Sequence, residues 1–121
     1  MADVLAERRF ERERLIALAR EYVDRLSKRV PVEAAAVVGS VARGDFNVWS
    51  DVDVLVVAEG LPERAPERMA LLLADAPVGV QPVGFTRIEL EQARRKGNPL
   101  VREAAERAVV LLGGGLLRPT S

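Results

Sequence analysis

The chain contains no cysteine and no histidine. The first absence excludes a disulfide framework and any thiolate metal centre. The second excludes zinc held by imidazoles and a Ser-His-Asp triad. Aromatic residues are scarce: one Trp, one Tyr and three Phe are too few for a base-stacking platform. Charge leans neither way. Eighteen basic residues balance eighteen acidic ones, which argues against a strongly nucleic-acid-binding surface, so direct nucleic-acid contact is not expected. No apolar run approaches the length of a membrane span, and the charged N-terminus lacks an apolar signal segment. The expectation is a cytoplasmic protein with no membrane partner. Lysine is nearly absent, Lys28 and Lys96 being the only two, so arginine carries the positive charge.

What is present suits one globular domain. The 121 residues are 49% hydrophobic, enough for a single core. Residues 1–115 read as that domain and residues 116–121 as a flexible tail. A long helix is predicted from about Val4 to Arg29, because Leu15, Leu18, Tyr22 and Leu26 step by three and four into one apolar stripe. Its Glu7–Arg14 stretch mixes signs and reads as a solvated face. Pro31 ends the helix. Ala34–Val38 and Val52–Val57 are short apolar strands. After a Gly60-Leu61-Pro62 break, Pro66–Ala74 reads as a helix with Met69, Leu72 and Leu73 inward. Pro77–Phe85 is a third strand, and Pro82, which cannot donate a ladder hydrogen bond, puts it at an edge. Thr86-Arg87-Ile88-Glu89 has the form of a capping box. Asn98-Pro99 repeats a helix-start signal, and Val109–Leu112 is a last short strand before three glycines. This order predicts an α/β domain with a small mixed sheet backed by helices. The edge strand and the amphipathic first helix leave an oligomer open.

The chemistry concentrates between Gly39 and Val57. Gly39 follows an apolar strand and lets the backbone turn close to a ligand without a Cβ in the way. Ser40 can cap a short helix and offer its hydroxyl to a phosphate oxygen. Such a helix would turn free N–H groups toward an anion, and Arg43 adds a permanent positive charge. Taken alone, Gly-Ser after a strand is in most proteins only a turn, and no Gly-Lys-Ser/Thr follows as in a Walker loop. The second strand carries more. Val52, Val54 and Val56 alternate with Asp51, Asp53, Leu55 and Val57. Two carboxylates on one face repel each other, and a hard cation such as magnesium would relieve that repulsion. The bland alternative places both carboxylates at the solvated end of the strand. Gly-Ser eleven residues upstream favours the ligand reading.

The segment from Gly39 to Val57, with Gly39-Ser40, Arg43-Gly44-Asp45 and Ser50-Asp51-Val52-Asp53, resembles the signature of the DNA polymerase β-like nucleotidyltransferase superfamily. In size and order the whole chain is similar to the minimal nucleotidyltransferases, or MNT proteins, commonly encoded beside a helical HEPN protein. The resemblance implies a polymerase β-like fold. It implies transfer of a nucleotidyl group, often adenylyl, from a triphosphate such as ATP to a hydroxyl, with two magnesium ions. Asp51 and Asp53 would be the catalytic metal ligands. Gly39 and Ser40 would hold the triphosphate, with Arg43 and Ser50 in support.

One position departs from the family pattern. Active members carry a third carboxylate on a neighbouring strand, and the matching positions here are Gly79 and Gln81. Gln81 is the closer equivalent, since Pro82 follows it. An amide oxygen can coordinate a metal but brings no charge and cannot act as a base. The second metal should therefore bind weakly, and Asp75 and Glu89 are poor substitutes. Two functions follow from the resemblance: an adenylylating enzyme, or an antitoxin-like binding module that pairs with a HEPN-type protein. Among single residues, Trp49 reads as a packing plug for the loop and Asp45 as a brace for the Arg43-Gly44 turn. Phe46 and Val48 read as contact residues or as packing under the loop, and Arg87, Arg94, Arg95 and Lys96 as a solvated basic cluster.

Overall fold

A computed structural model describes residues 2–47 and 49–119, the side chain of Ala2 excepted. Four strands form one sheet: β1 (Val32–Val38), β2 (Val52–Ala58), β3 (Val80–Phe85) and β4 (Val109–Leu112), in the order β3-β2-β1-β4. β1 runs antiparallel to both β2 and β4. β2 and β3 are parallel, which requires a crossover, and helix α3 (Ala65–Leu73) supplies it. The sheet is therefore mixed, as the element order predicts.

The two central strands are buried on both faces, which is why they read as unbroken apolar runs. Helix α1 (Ala2–Ser27) covers one face together with α3. Leu15, Ala19, Tyr22 and Leu26 pack there on Val37, Val54 and Val56. The tie between these helices is polar as well as apolar, because the buried Tyr22 hydroxyl donates to the Leu72 carbonyl at 2.8 Å. Helices α4 (Arg87–Arg95), α5 (Pro99–Glu106) and α6 (Gly114–Leu117) cover the other face. Leu90, Val101, Ala104 and Leu117 pack there on Ala34, Ala36, Leu55 and Val57. The small alanines of β1 let this layer come close. At Gly113 (φ +64°) a Cβ would collide with the Glu33 carbonyl oxygen, so glycine is required where α6 meets β1.

Local signals place the helix ends where the sequence suggests. The Thr86–Glu89 capping box is closed in both directions, and Asn98 Oδ1 accepts from the N–H groups of Leu100 and Val101. Pro82 lies on an edge strand.

Three expectations are corrected. β3 starts at Val80, because Pro77 to Gly79 make a turn in which the Val80 N–H donates to the Pro77 carbonyl and Gly79 takes φ +98°. Of Met69, Leu72 and Leu73, only Leu72 is buried, since α3 lies on the sheet along a single line. Leu116 and Leu117 belong to α6, and Leu117 is inside the core, so the chain is anchored beyond residue 115. No helix among the described residues is long and apolar enough to cross a membrane.

Tyr22→Phe should lower stability by about 1–2 kcal/mol, because it leaves a buried Leu72 carbonyl without its donor. A urea unfolding midpoint equal to that of the wild type would show that the hydroxyl contributes nothing.

Candidate active site

The site lies where β1 runs out and β2 begins. In the sheet, Val38 pairs with Asp53 and Asp53 pairs with Gln81, so these residues make one row across three strands. Side chains alternate along a strand. Asp53 therefore shares its face with Leu55 and Val57, the face roofed by α4 to α6. At the row's end Gly39 turns the chain with φ +76° into the short helix α2 (Gly39–Arg43). A Cβ at Gly39 would collide with Oδ2 of Asp53. The glycine is needed here for its missing side chain as well as its backbone angle. The short helix expected after Gly39 is present, but Ser40 does not cap it: the N-cap is Val38, with no side-chain bond.

The carboxylate pair sits at the mouth of this turn. Asp51 is exposed and immediately precedes β2, while Asp53 is half-buried within it. Burial pushes the Asp53 carboxyl above its ordinary value, the negative charges of Asp51 and Glu103 push it further, and Arg43 opposes them. The repulsion expected from the sequence is thus present. Two hard oxygen donors whose charges are incompletely compensated suit one divalent cation such as magnesium. A second has less to hold it. Gln81 stands beside Asp53 in register and is exposed, but it is neutral, and Gly79 lies in the turn ahead of the strand. Asp75 is paired with Arg29 at 3.0 Å. Glu89 is paired with Arg68 at 2.7 Å, and that guanidinium holds its carboxyl below the usual range. Neither of these acids joins the pair, and no group of three or more potential metal-ligating acids, histidines or cysteines occurs among the described residues.

The turn is braced from three sides. Arg43 Nε donates to Asp45 at 3.3 Å, the bracing role expected for Asp45. Ser50 closes the following loop: its hydroxyl accepts from the Asn47 N–H at 2.9 Å and its own N–H donates to the Asn47 carbonyl at 3.0 Å. From α1, Arg12 donates to the carbonyls of Val41 and Ala42 at 2.9 and 3.0 Å. Arg8 donates to those of Gly44 and Phe46 at 3.0 and 2.9 Å and lies 4.9 Å from the Phe46 ring centre. A five-residue helix leaves its last carbonyls unpaired, and these arginines satisfy them.

The reading of Glu7–Arg14 as a solvated face holds for Glu7, Arg9, Glu13 and Arg14, which are exposed, and fails for Arg8 and Arg12, which brace the turn. Nothing in the local pattern separates Arg8 and Arg12 from their charged neighbours. Glu103 is likewise missed by pattern reading, because it reaches Gly39 and Arg43 across 64 and 60 positions of sequence. Trp49 is 89% exposed, so it is not a packing plug; Phe46, at 4%, fills that place. Val48 lies outside the described residues. In the basic cluster, Arg87 pairs with Glu33 at 2.6 Å and Arg94 with Glu91, which removes two of its four charges from free display. An open hollow of about 410 Å³ adjoins the turn, lined by Arg43, Gly97, Pro99, Arg102, Glu103, Glu106 and Arg107.

A carboxyl whose folded-state pKa is raised adds stability below its unfolded pKa, and that stability is lost as pH rises through the folded value. Ionised Asp53 therefore weakens the metal-free fold at neutral pH. Asp53→Asn should raise the melting temperature in chelator at pH 7 by roughly 2–4 °C. The gain should fade below about pH 4, where the unfolded wild-type carboxyl is protonated too. A variant melting below the wild type at pH 7 would contradict this.

Residues 19–112 match the family of the nucleotidyltransferase domain. The fold is similar to the 1.40 Å crystal structure of a Sulfolobus solfataricus protein described as a presumed nucleotidyltransferase. The TM-score is 0.64 with 24% identity, covering 85% of this chain and 84% of the other. No curated protein matches the sequence. The family match spans the signature turn and the Asp51–Asp53 pair, within the mixed sheet that the structural likeness shares, and the chain belongs to the polymerase β-like nucleotidyltransferase domains.

Proposed function

We propose that this chain transfers a nucleotidyl group, adenylyl by preference, from magnesium-bound ATP to a hydroxyl acceptor, which a partner protein can supply. The observation that carries the proposal is the placement of the Asp53 carboxylate where a side chain at position 39 would stand. It sets a half-buried carboxylate beside the glycine turn that opens α2, which supports reading the first as a metal ligand and the second as a phosphate seat. In this reading Gly39, Ser40 and Arg43 hold the triphosphate, and Ser50 keeps the intervening loop closed. Asp51 and Asp53 hold magnesium. Bound there, magnesium supplies charge neutralisation on the phosphates and acidifies the acceptor hydroxyl. The protein's contribution is placement: the turn aligns the α-phosphorus, the acceptor hydroxyl gives up its proton to solvent as its oxygen bonds to that phosphorus, and the bond to the bridging oxygen breaks to release pyrophosphate. With Gln81 beside Asp53, the second metal is held weakly and turnover is slow.

A second reading is an antitoxin-like module that binds a HEPN-type helical protein with little or no turnover. The neutral Gln81 beside Asp53 favours it, since it leaves the carboxylate pair without a third charged ligand.

Thermal unfolding with magnesium and each nucleoside triphosphate tests the site. ATP at a hundredfold excess over its Kd should stabilise the wild type by about 2.7 kcal/mol. The shift should vanish in Asp51→Asn/Asp53→Asn. Loss of the shift with every nucleotide in the wild type would remove the enzyme reading. Gln81→Asp should raise magnesium-dependent transfer by about tenfold, measured as pyrophosphate release, by restoring a charged ligand. No change in rate would mean that position 81 is not the weak point.

A further inference from the structure

Glu103 has no part in the proposed reaction, yet it is the most engaged acid at the site. Its side chain is only 18% exposed. A single oxygen, Oε1, accepts from the Gly39 N–H at 2.8 Å and from Arg43 Nη1 at 2.9 Å. A backbone N–H at a glycine turn and a guanidinium are the donors that a phosphate oxygen takes. Arg43 also gives Nε to Asp45, so its charge is compensated twice. A phosphate arriving at the turn meets donors already occupied by an anion.

We propose that Glu103 is an internal anion seated on the phosphate-binding donors, and that triphosphate binding displaces it from Gly39 and Arg43. Glu103 thereby sets the affinity of the site and couples its occupation to α5. This rests on the reading of the Gly39–Arg43 turn as a triphosphate site. The displaced carboxylate has a place to go. The open hollow beside it is bordered by two arginines, Arg102 and Arg107, against one other acid, Glu106. Arg107 stands four residues after Glu103, the favourable order for an ion pair on a helix. Among the described residues Arg107 makes no ion pair, so it is available to receive the carboxylate.

Glu103→Gln tests this. Glutamine keeps an acceptor oxygen and a good helix former at the position while removing the charge. Calorimetric titration should show magnesium-ATP, and separately inorganic tripolyphosphate, binding at least about tenfold tighter to the variant than to the wild type, as expected when a like charge leaves the site. Equal or weaker binding to the variant, with binding by the wild type intact, would overturn the inference and leave the triphosphate reading standing; Glu103 would then be a positioning residue for the turn. If magnesium-ATP binds neither protein, the nucleotide reading fails. Tripolyphosphate then decides the inference: tighter binding to the variant sustains it, and equal, weaker or absent binding ends it. The wild type gives a readout that needs no variant. Amide hydrogen exchange along α5 should quicken when tripolyphosphate binds, and protection of α5 on binding would count against displacement.

Discussion

The approach of the Asp53 carboxylate to the backbone of Gly39 is the constraint on which the site depends. It follows from the antiparallel register of β1 and β2, which sets Val38 opposite Asp53. The residue after Val38 must then turn away with an oxygen atom where its Cβ would stand. Only glycine meets both conditions, since it has no side chain and adopts positive φ without strain. The register is in turn held by burial. Both central strands are covered on two faces, and a slip by one residue would exchange the Val52, Val54, Val56 set with the Asp53, Leu55, Val57 set. A carboxylate would then enter the α1 core. Packing energy on both sides of the sheet thus places a charged group at its rim.

The turn itself has little internal stability. Five residues of α2 cannot satisfy their own terminal carbonyls, so the segment borrows structure from its neighbours. Arg8 and Arg12 take four carbonyls between Val41 and Phe46. Glu103 and Asp45 hold Arg43. Much of the turn's electrostatics is therefore internal compensation, in which Arg8, Arg12 and Arg43 are matched by carbonyls or carboxylates. Asp51 and Asp53 are the exception. No guanidinium is bonded to them among the described residues, and Arg43 only partly offsets the negative charge that acts on Asp53. A polyanion with its metal would answer both halves, supplying cation to the aspartates and phosphate to the donors that Glu103 now fills.

Much of this was legible in residue order. The apolar stripe of α1, the alternation in β2, the Thr86–Glu89 box and the Asn98 cap are short-range patterns, and local geometry alone makes them work. Gln81 was identified as the neighbour of Asp53 from the Pro that follows it, and the parallel pairing places it there. The misses have a common physical origin. Met69, Leu73 and Trp49 look apolar enough to be buried, but burial depends on what another element covers. Leu117 looks like tail but finds a hollow between β1 and α5. Arg8, Arg12 and Glu103 look like any surface charge, because their partners lie 29 to 64 residues away.

The sequence by itself determined most of the elements, α6 excepted, the apolar character of the central strands, and the residue types that suit phosphate and metal. Those are consequences of side-chain periodicity and of turn chemistry, which act over a few residues. Only the tertiary structure decided which charges meet. Strand order brings Gln81 to Asp53, and helix packing brings Glu103 to Gly39 and Arg12 to the end of α2. Such contacts are set by the closing of the whole core, and a charge is inert or decisive according to the partner that closure puts beside it.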